Sequence, residues 1–194
     1  KALKADIINK GVTIIEQTRV EGLLSSNGYA TGVKTNQQDY LSDHIVVCSG
    51  AWSSEWLSLK ERVFPMKGQM IVLKSDPSVV TNIVLDQGRY IIPRKDGRIL
   101  VGSTMQNVGF DRSTDEQTRQ DLHDFASQRF EVLAKSKVEC HWSGFRPASK
   151  SSKVMLGRYD QFNNVYLNTG HFRNGLNMAP ESAKRITQLI THEI

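Results

Sequence analysis

The sequence predicts a mixed α/β and α+β chain in which two outer pieces, 1–58 and 158–194, form one layer around an inner piece, 59–157. Three observations predict it. The outer pieces each carry a short strand-like run, Ile45-Val46-Val47-Cys48, continuous and apolar as in a parallel sheet, and Asn164-Val165-Tyr166-Leu167-Asn168, so they read as α/β with buried strands. The inner piece alternates in short β runs broken by turn residues, which reads as an antiparallel sheet. A single amphipathic stretch near 113–133 supplies one helix to cover that sheet.

The elements follow in order. Leu3, Ile7 and Ile8 have helical spacing over residues 1–10, and Gly11 stands where a helix C-cap favours glycine. A chain that opens inside a helical pattern, without an initiator Met, is expected to be a fragment. Val12-Thr13-Ile14-Ile15 is β-branched and predicts a short strand. Strands over 19–24, 29–35 and 40–42 form a meander, divided by Ser25-Ser26-Asn27-Gly28 and Asn36-Gln37-Gln38-Asp39. The run 45–48 predicts a strand covered on both faces, with Cys48 a buried, inert thiol.

In the inner piece, strands are predicted over 69–74, 82–85, 89–94 and 98–104, with Asp96-Gly97 as a hairpin turn. Ser113 or Thr114 is the expected cap of the next helix, with Glu116 or Gln117 completing a capping box. Leu122, Phe125, Ala126, Phe130 and Leu133 form its apolar stripe. A strand over 138–145 closes the sheet. The last piece reads as a strand at 164–168, a glycine-bounded loop from Gly170 to Gly175, and a helix over 176–193 with Pro180 in its early turns.

Composition narrows the function. Of 194 residues, 39% are hydrophobic and 23% charged, a globular balance. The net charge of +5 is spread over Lys60, Arg62, Lys67, Lys150, Lys153 and others, so a mildly basic surface is expected and not a nucleic-acid arm. Two cysteines, in no CxxC pair, fit a reducing, cytoplasmic setting. No segment approaches the roughly 20 apolar residues of a membrane span. The histidines His44, His123, His141, His171 and His192 have no metal spacing, and no nucleophile–base pair stands out. No metal and no catalytic side chain is predicted, and homo-oligomerisation is left open.

Three features remain. The strand–glycine-loop–helix at 165–177 offers unpaired N–H groups and a positive helix end to an anionic atom, although Leu176-Asn177 replaces the Lys-Ser/Thr of a phosphate loop. As a bare spacing it is equally an ordinary strand-to-helix turn. Arg146, in Trp142-Ser143-Gly144-Phe145-Arg146-Pro147-Ala148, can offer a bidentate fork to a carboxylate, or serve as a surface arginine. Tyr90, opening Tyr90-Ile91-Ile92-Pro93-Arg94, can present a hydroxyl to a ligand or simply pack.

Taken together and in order, these segments resemble the FAD-dependent amine oxidases of the glycine oxidase and D-amino acid oxidase family. The passages that carry the resemblance are Val47 to Ser53, Tyr90 to Arg94 with Gly97-Arg98 and Val101 to Met105, Trp142 to Pro147 with Leu156-Gly157-Arg158, and Gly170 to Gly175 with Ala179-Pro180. The resemblance implies the C-terminal part of a Rossmann-like FAD-binding domain (1–58 and 158–194) interleaved with an antiparallel-sheet substrate domain (59–157). It implies flavin-dependent oxidation of glycine, D-amino acids or related small amines. Arg146, Arg173 and Tyr90 would contact the substrate. Val20, Ser49, Gly50, Trp52, His171, Phe172, Arg173, Asn174, Gly175, Leu176 and Asn177 would lie along the FAD. Gly88 stands where close relatives can carry a histidine, which leaves substrate preference open. The Gly-x-Gly-x-x-Gly fingerprint is absent from the 194 residues, so FAD binding by this polypeptide alone is expected to be weak or nil. The alternatives are a non-catalytic fragment without flavin, or a domain of an FAD-dependent tRNA-modifying oxidoreductase.

Overall fold

Turn chemistry lays out the sheets. The computed structural model describes residues 2–191; residue 1 and residues 192–194, which include the outer ends of two predicted helices, lie outside the described residues. Helix α1 (Ala2–Asn9) stops at Gly11, φ +83°, where Gly11 N–H reaches Ile8 O at 2.9 Å and Val12 N–H reaches Ile7 O at 3.0 Å. This paired closure needs the left-handed conformation that glycine adopts without strain. Strands β1 (Val20–Ser26) and β2 (Tyr29–Thr35) pair antiparallel around Asn27-Gly28, with φ values of +51° and +79°, as a tight hairpin turn requires. The short β3 (Tyr40–Leu41) completes the meander.

The outer pieces meet in a second sheet. β4 (Ile45–Val47) pairs parallel with β11 (Val165–Thr169), which pairs antiparallel with β10 (Met155–Arg158). Asn164 locks this sheet to the meander. Its buried amide donates to Ala30 O at 2.6 Å and to Asp43 O at 2.8 Å, and its Oδ1 accepts from Ala30 N–H at 3.0 Å.

The third sheet has five strands in the order β6 (Val84–Asp86), β7 (Arg89–Pro93), β8 (Arg98–Gly102), β5 (Phe64–Lys74) and β9 (Val138–Ala148). Helix α3 (Glu116–Arg129) covers one face. Ile71, Leu73, Ile91, Ile99 and Val101 of the sheet pack there with Leu122, Phe125 and Ala126 of the helix and with Leu133 just beyond it. Each large aliphatic side chain buried in this way contributes about 1.5–3 kcal/mol. The predicted Asp96-Gly97 hairpin joins β7 to β8, with Gly97 at φ +82°. Helix α4 (Gly175–Thr191) holds Pro180 and leans on β10 and β11.

Five sequence expectations are corrected. Residues 12–15 form no strand: β-branching favours extended backbone, but no neighbouring strand pairs there, and Val12 and Ile15 remain half exposed. β4 is an edge strand covered on one face, with Ile45 and Val47 buried and Val46 39% exposed. Cys48 is exposed for the same reason. The cap of α3 is Asp115, whose carboxylate accepts from Thr118 N–H at 2.8 Å, and not Ser113 or Thr114. β9 runs to Ala148, so Arg146 lies within a paired strand opposite Met66.

Candidate functional site

Parallel strands end on the same side, and ligands of open α/β sheets bind outside those carboxyl ends. β4 and β11 are such a pair, with Val47 opposite Leu167. After β4 the chain turns through Ser49, Gly50 (φ +54°) and Trp52 into the one-turn helix α2 (Ser53–Trp56); after β11 it turns through Gly170 (φ +78°) into α4. The two turns are tied together. Ser53 Oγ lies 2.8 Å from Gly50 O and 3.0 Å from Thr169 Oγ1, and Thr169 Oγ1 donates to Gly50 O at 3.0 Å.

Two cavities flank this junction. The first, about 710 Å³, brings Val20, Ser49 and Trp52 together with Val46, Cys48 and Trp56. Although Cys48 is exposed to solvent, the surrounding protein partly desolvates its sulfur, which outweighs a hydrogen bond with Asn168 and pushes the thiol up from its ordinary pKa. The Trp52 indole stacks on Phe110 with ring centroids 5.2 Å apart and meets Phe145 edge-on at 5.9 Å. The Arg112 guanidinium stands 5.8 Å from the Trp52 and Phe145 rings. Trp52 thereby joins the strand-end turn to the five-stranded sheet as well as lining the cavity.

The second cavity, about 330 Å³, is lined by Tyr90, Arg146, Phe172, Arg173, Gly175 and Leu176. A direct stitch makes it: Phe172 N–H donates to Pro147 O at 3.1 Å, which holds the 170–175 loop against β9 one residue after Arg146. The Arg146 Nη1 donates to Thr104 O at 3.2 Å and its Nη2 donates to Ser103 Oγ. Tyr90 reaches across Gly102, its cross-strand partner, to place its hydroxyl 3.7 Å from Met70 Sδ. Gly102 is required there, because a Cβ on it would sit 2.6 Å from Met70 Cγ.

The mouth of α4 forms the opposite wall. Met178 N–H to Asn174 O, 2.9 Å, is the first helical bond, so the N–H groups of Gly175, Leu176 and Asn177 have no carbonyl within the helix. They and the helix dipole favour negative charge at this end. His171 and Asn174 do not line the cavity. His171 Nε2 lies 3.0 Å from Ser182 Oγ of α4, and burial lowers its pKa, which keeps the ring neutral. Asn174 directly precedes α4, Asn177 lies in its first turn, and Gly50 holds the strand-end junction with its carbonyl. The structure therefore gathers Tyr90, Arg146, Phe172, Arg173, Gly175 and Leu176 in one cavity and Val20, Ser49 and Trp52 in another. Gly50, His171, Asn174 and Asn177 stand behind them.

Sequence reasoning missed Gly68, Ser103 and Thr104, the immediate surroundings of the Arg146 fork. A glycine in the interior of a strand, as in Phe64-Pro65-Met66-Lys67-Gly68-Gln69-Met70-Ile71, is the signal that marks a close approach. The donor set suits a flavin edge beside a small zwitterion: a cation and a tyrosine hydroxyl on one wall, N–H groups at a helix end on the other. Among the described residues no group of three or more metal-ligating side chains gathers, and no helix is long and apolar enough to cross a membrane.

Known proteins resemble this chain over nearly its whole length. The model of the FAD dependent oxidoreductase family (DAO) matches residues 1–189. The chain is 38% identical over 179 residues to a glycine oxidase of Pseudomonas aeruginosa, covering 91% of this chain and 49% of that protein. It is 36% identical over 195 residues to a glycine oxidase of Pseudomonas putida, covering 98% and 53%. The crystal structure of a glycine oxidase from Bacillus cereus superposes with a TM-score of 0.93 at 26% identity, over 98% of this chain and 54% of that one. The chain thus spans about half the length of the curated relatives it matches.

Proposed function

We propose, since this chain belongs to the FAD dependent oxidoreductase family, that it supplies the substrate side and part of the flavin side of an enzyme that oxidises glycine, a D-amino acid or a related small amine. The similar proteins named glycine oxidase support this substrate class. In this reading 1–58 and 158–194 are parts of the FAD-binding domain and 59–157 is the substrate domain. The pyrophosphate-gripping segment lies outside these 194 residues.

The observation that carries the reading is the cavity in which Arg146 and the mouth of α4 face each other. When bound, FAD supplies the acceptor for a hydride from the substrate α-carbon. The chain's own residues then have separable tasks. Arg146 holds the carboxylate through charge-assisted bonds. Arg173 adds positive charge from the facing loop, and the Tyr90 hydroxyl fixes the orientation of the bound zwitterion. The N–H groups of Gly175, Leu176 and Asn177 would hold the flavin from the helix end and would favour negative charge on it. Val20, Ser49 and Trp52 line the cavity assigned to the rest of the cofactor. A substrate amine that arrives neutral needs no strong general base, in keeping with the lining of the smaller cavity, which contains no carboxylate or histidine.

The test is steady-state kinetics of the full-length protein with glycine, sarcosine and D-alanine. Arg146→Lys is expected to raise KM by about tenfold or more, since a point charge replaces a fork. Unchanged KM for all three would remove Arg146 from the carboxylate and the reading with it.

A further inference from the structure

We propose that Ser103 and Gly68 are the positioning residues of the Arg146 fork, and that together they set the affinity of the cavity for the α-carboxylate of a small amino acid. The proposal rests on the reading of Arg146 as carboxylate anchor and adds what aims it. Gly68 is on β5, Ser103 directly follows β8, and Arg146 is on β9, so three separate segments converge on one guanidinium.

Steric clearance is the first part. A Cβ built on Gly68 would lie 2.6 Å from Arg146 Nη2 and 2.7 Å from Cζ, closer than any real contact. The guanidinium therefore occupies the space that a side chain at position 68 would fill. The backbone of Gly68 has no left-handed φ, so alanine is compatible with the strand and would act by displacing the fork.

The second part is hydrogen bonding. A guanidinium has five N–H donors. Two are taken by neutral acceptors, the Ser103 hydroxyl and the Thr104 carbonyl. Among the described residues no carboxylate bonds or ion-pairs with Arg146, so its charge stays uncompensated and its remaining donors are available to an anion. Neutral acceptors orient a cation without satisfying its charge. Ser103 is itself 5% exposed, so its hydroxyl has little access to water and its loss would leave an Arg146 donor unpaired.

The experiment uses the full-length flavoprotein and glycolate, which keeps the carboxylate and replaces the amine by a hydroxyl. Binding is followed by perturbation of the flavin absorbance. Ser103→Ala is expected to weaken glycolate about tenfold, the scale of one charged hydrogen bond. Ser103→Thr, which restores the hydroxyl, is expected to stay within about twofold of the parent. Gly68→Ala is expected to weaken glycolate at least as much as Ser103→Ala, with KM for the amino acid rising in step and kcat changing less. In an Arg146→Ala background neither substitution should add anything, because they act through that side chain.

The outcomes separate the two levels. If Arg146→Ala leaves glycolate affinity unchanged, the anchor reading fails and takes this proposal with it. If Arg146→Ala weakens binding while Ser103→Ala and Gly68→Ala do not, the anchor stands and the positioning role is overturned. Should Gly68→Ala not fold, Ser103→Cys carries the test, since a thiol is similar in shape and a poor acceptor.

Discussion

On β5, Lys67, Gln69, Ile71 and Leu73 point one way and Met66, Gly68 and Met70 the other, and the two faces are built on different principles. The first face is filled. Its apolar members pack under α3, and its polar members are paired. Lys67 Nζ meets Asp111 Oδ2 at 2.8 Å, and Gln69 Nε2 donates to Asp115 Oδ2 at 2.8 Å. The second face is left open. Gly68 and Gly102 provide no side chains, Arg146 lies in the resulting space, and Tyr90 bends over to Met70. One strand thus carries stability and recognition on alternate residues, because side chains of a strand alternate between faces. The lesson is that a sheet packed well on one side can leave the other under-filled and still hold its geometry.

This comparison is broken most forcefully at Ile71, which is fully buried. Ile71→Ala is expected to cost about 2–5 kcal/mol, from lost burial plus the cavity left behind. A urea midpoint that barely moves would mean the α3 face is not the core. On the other face Arg146→Lys should change stability by less than about 1 kcal/mol while substrate binding suffers. Equal losses of stability at the two positions would erase the distinction.

Acid sharpens the same contrast. The Lys67 ammonium and the Ser113 bonds bring Asp111 down to about 2, and bonds from Gln69 and Thr118 bring Asp115 to about 2. Both folded pKa values lie below the ordinary value of 3.8, so the stabilisation from these groups is present above pH 3.8 and is lost as pH falls toward 2. Melting followed between pH 5 and pH 2 should therefore fall less steeply in an Asp111→Asn, Asp115→Asn double variant than in the parent. Parallel curves would contradict the pairing. The smallest expected change is in flavin fluorescence when the 194-residue chain alone is titrated with FAD, since the dinucleotide fingerprint is not in this sequence. A tight stoichiometric complex would show that the strand-end turns suffice.

The sequence makes much of this legible where local chemistry decides. Asn27-Gly28, Asp96-Gly97 and Gly11 each demand a left-handed residue, and each stands where the turn or cap was read. The strand–loop–helix from Val165 through α4 was legible for the same reason. Val12 to Ile15 misled because β propensity says nothing about whether a partner strand is present. Asp115 was hidden among three adjacent capping residues, and the choice among them depends on a bond to Gln69, 46 positions away. Arg146 and Tyr90 could be singled out by residue type and family pattern. Their seat could not, because Gly68, Gly102 and Ser103 matter only through cross-strand register, which a linear reading does not contain.

The most direct measurement is a crystal structure of the full-length flavoprotein soaked with glycolate. The carboxylate should be forked by Arg146, with the flavin N1–C2=O edge against the N–H groups of Gly175, Leu176 and Asn177. A carboxylate bound elsewhere, with the Arg146 cavity filled only by water, would contradict the account.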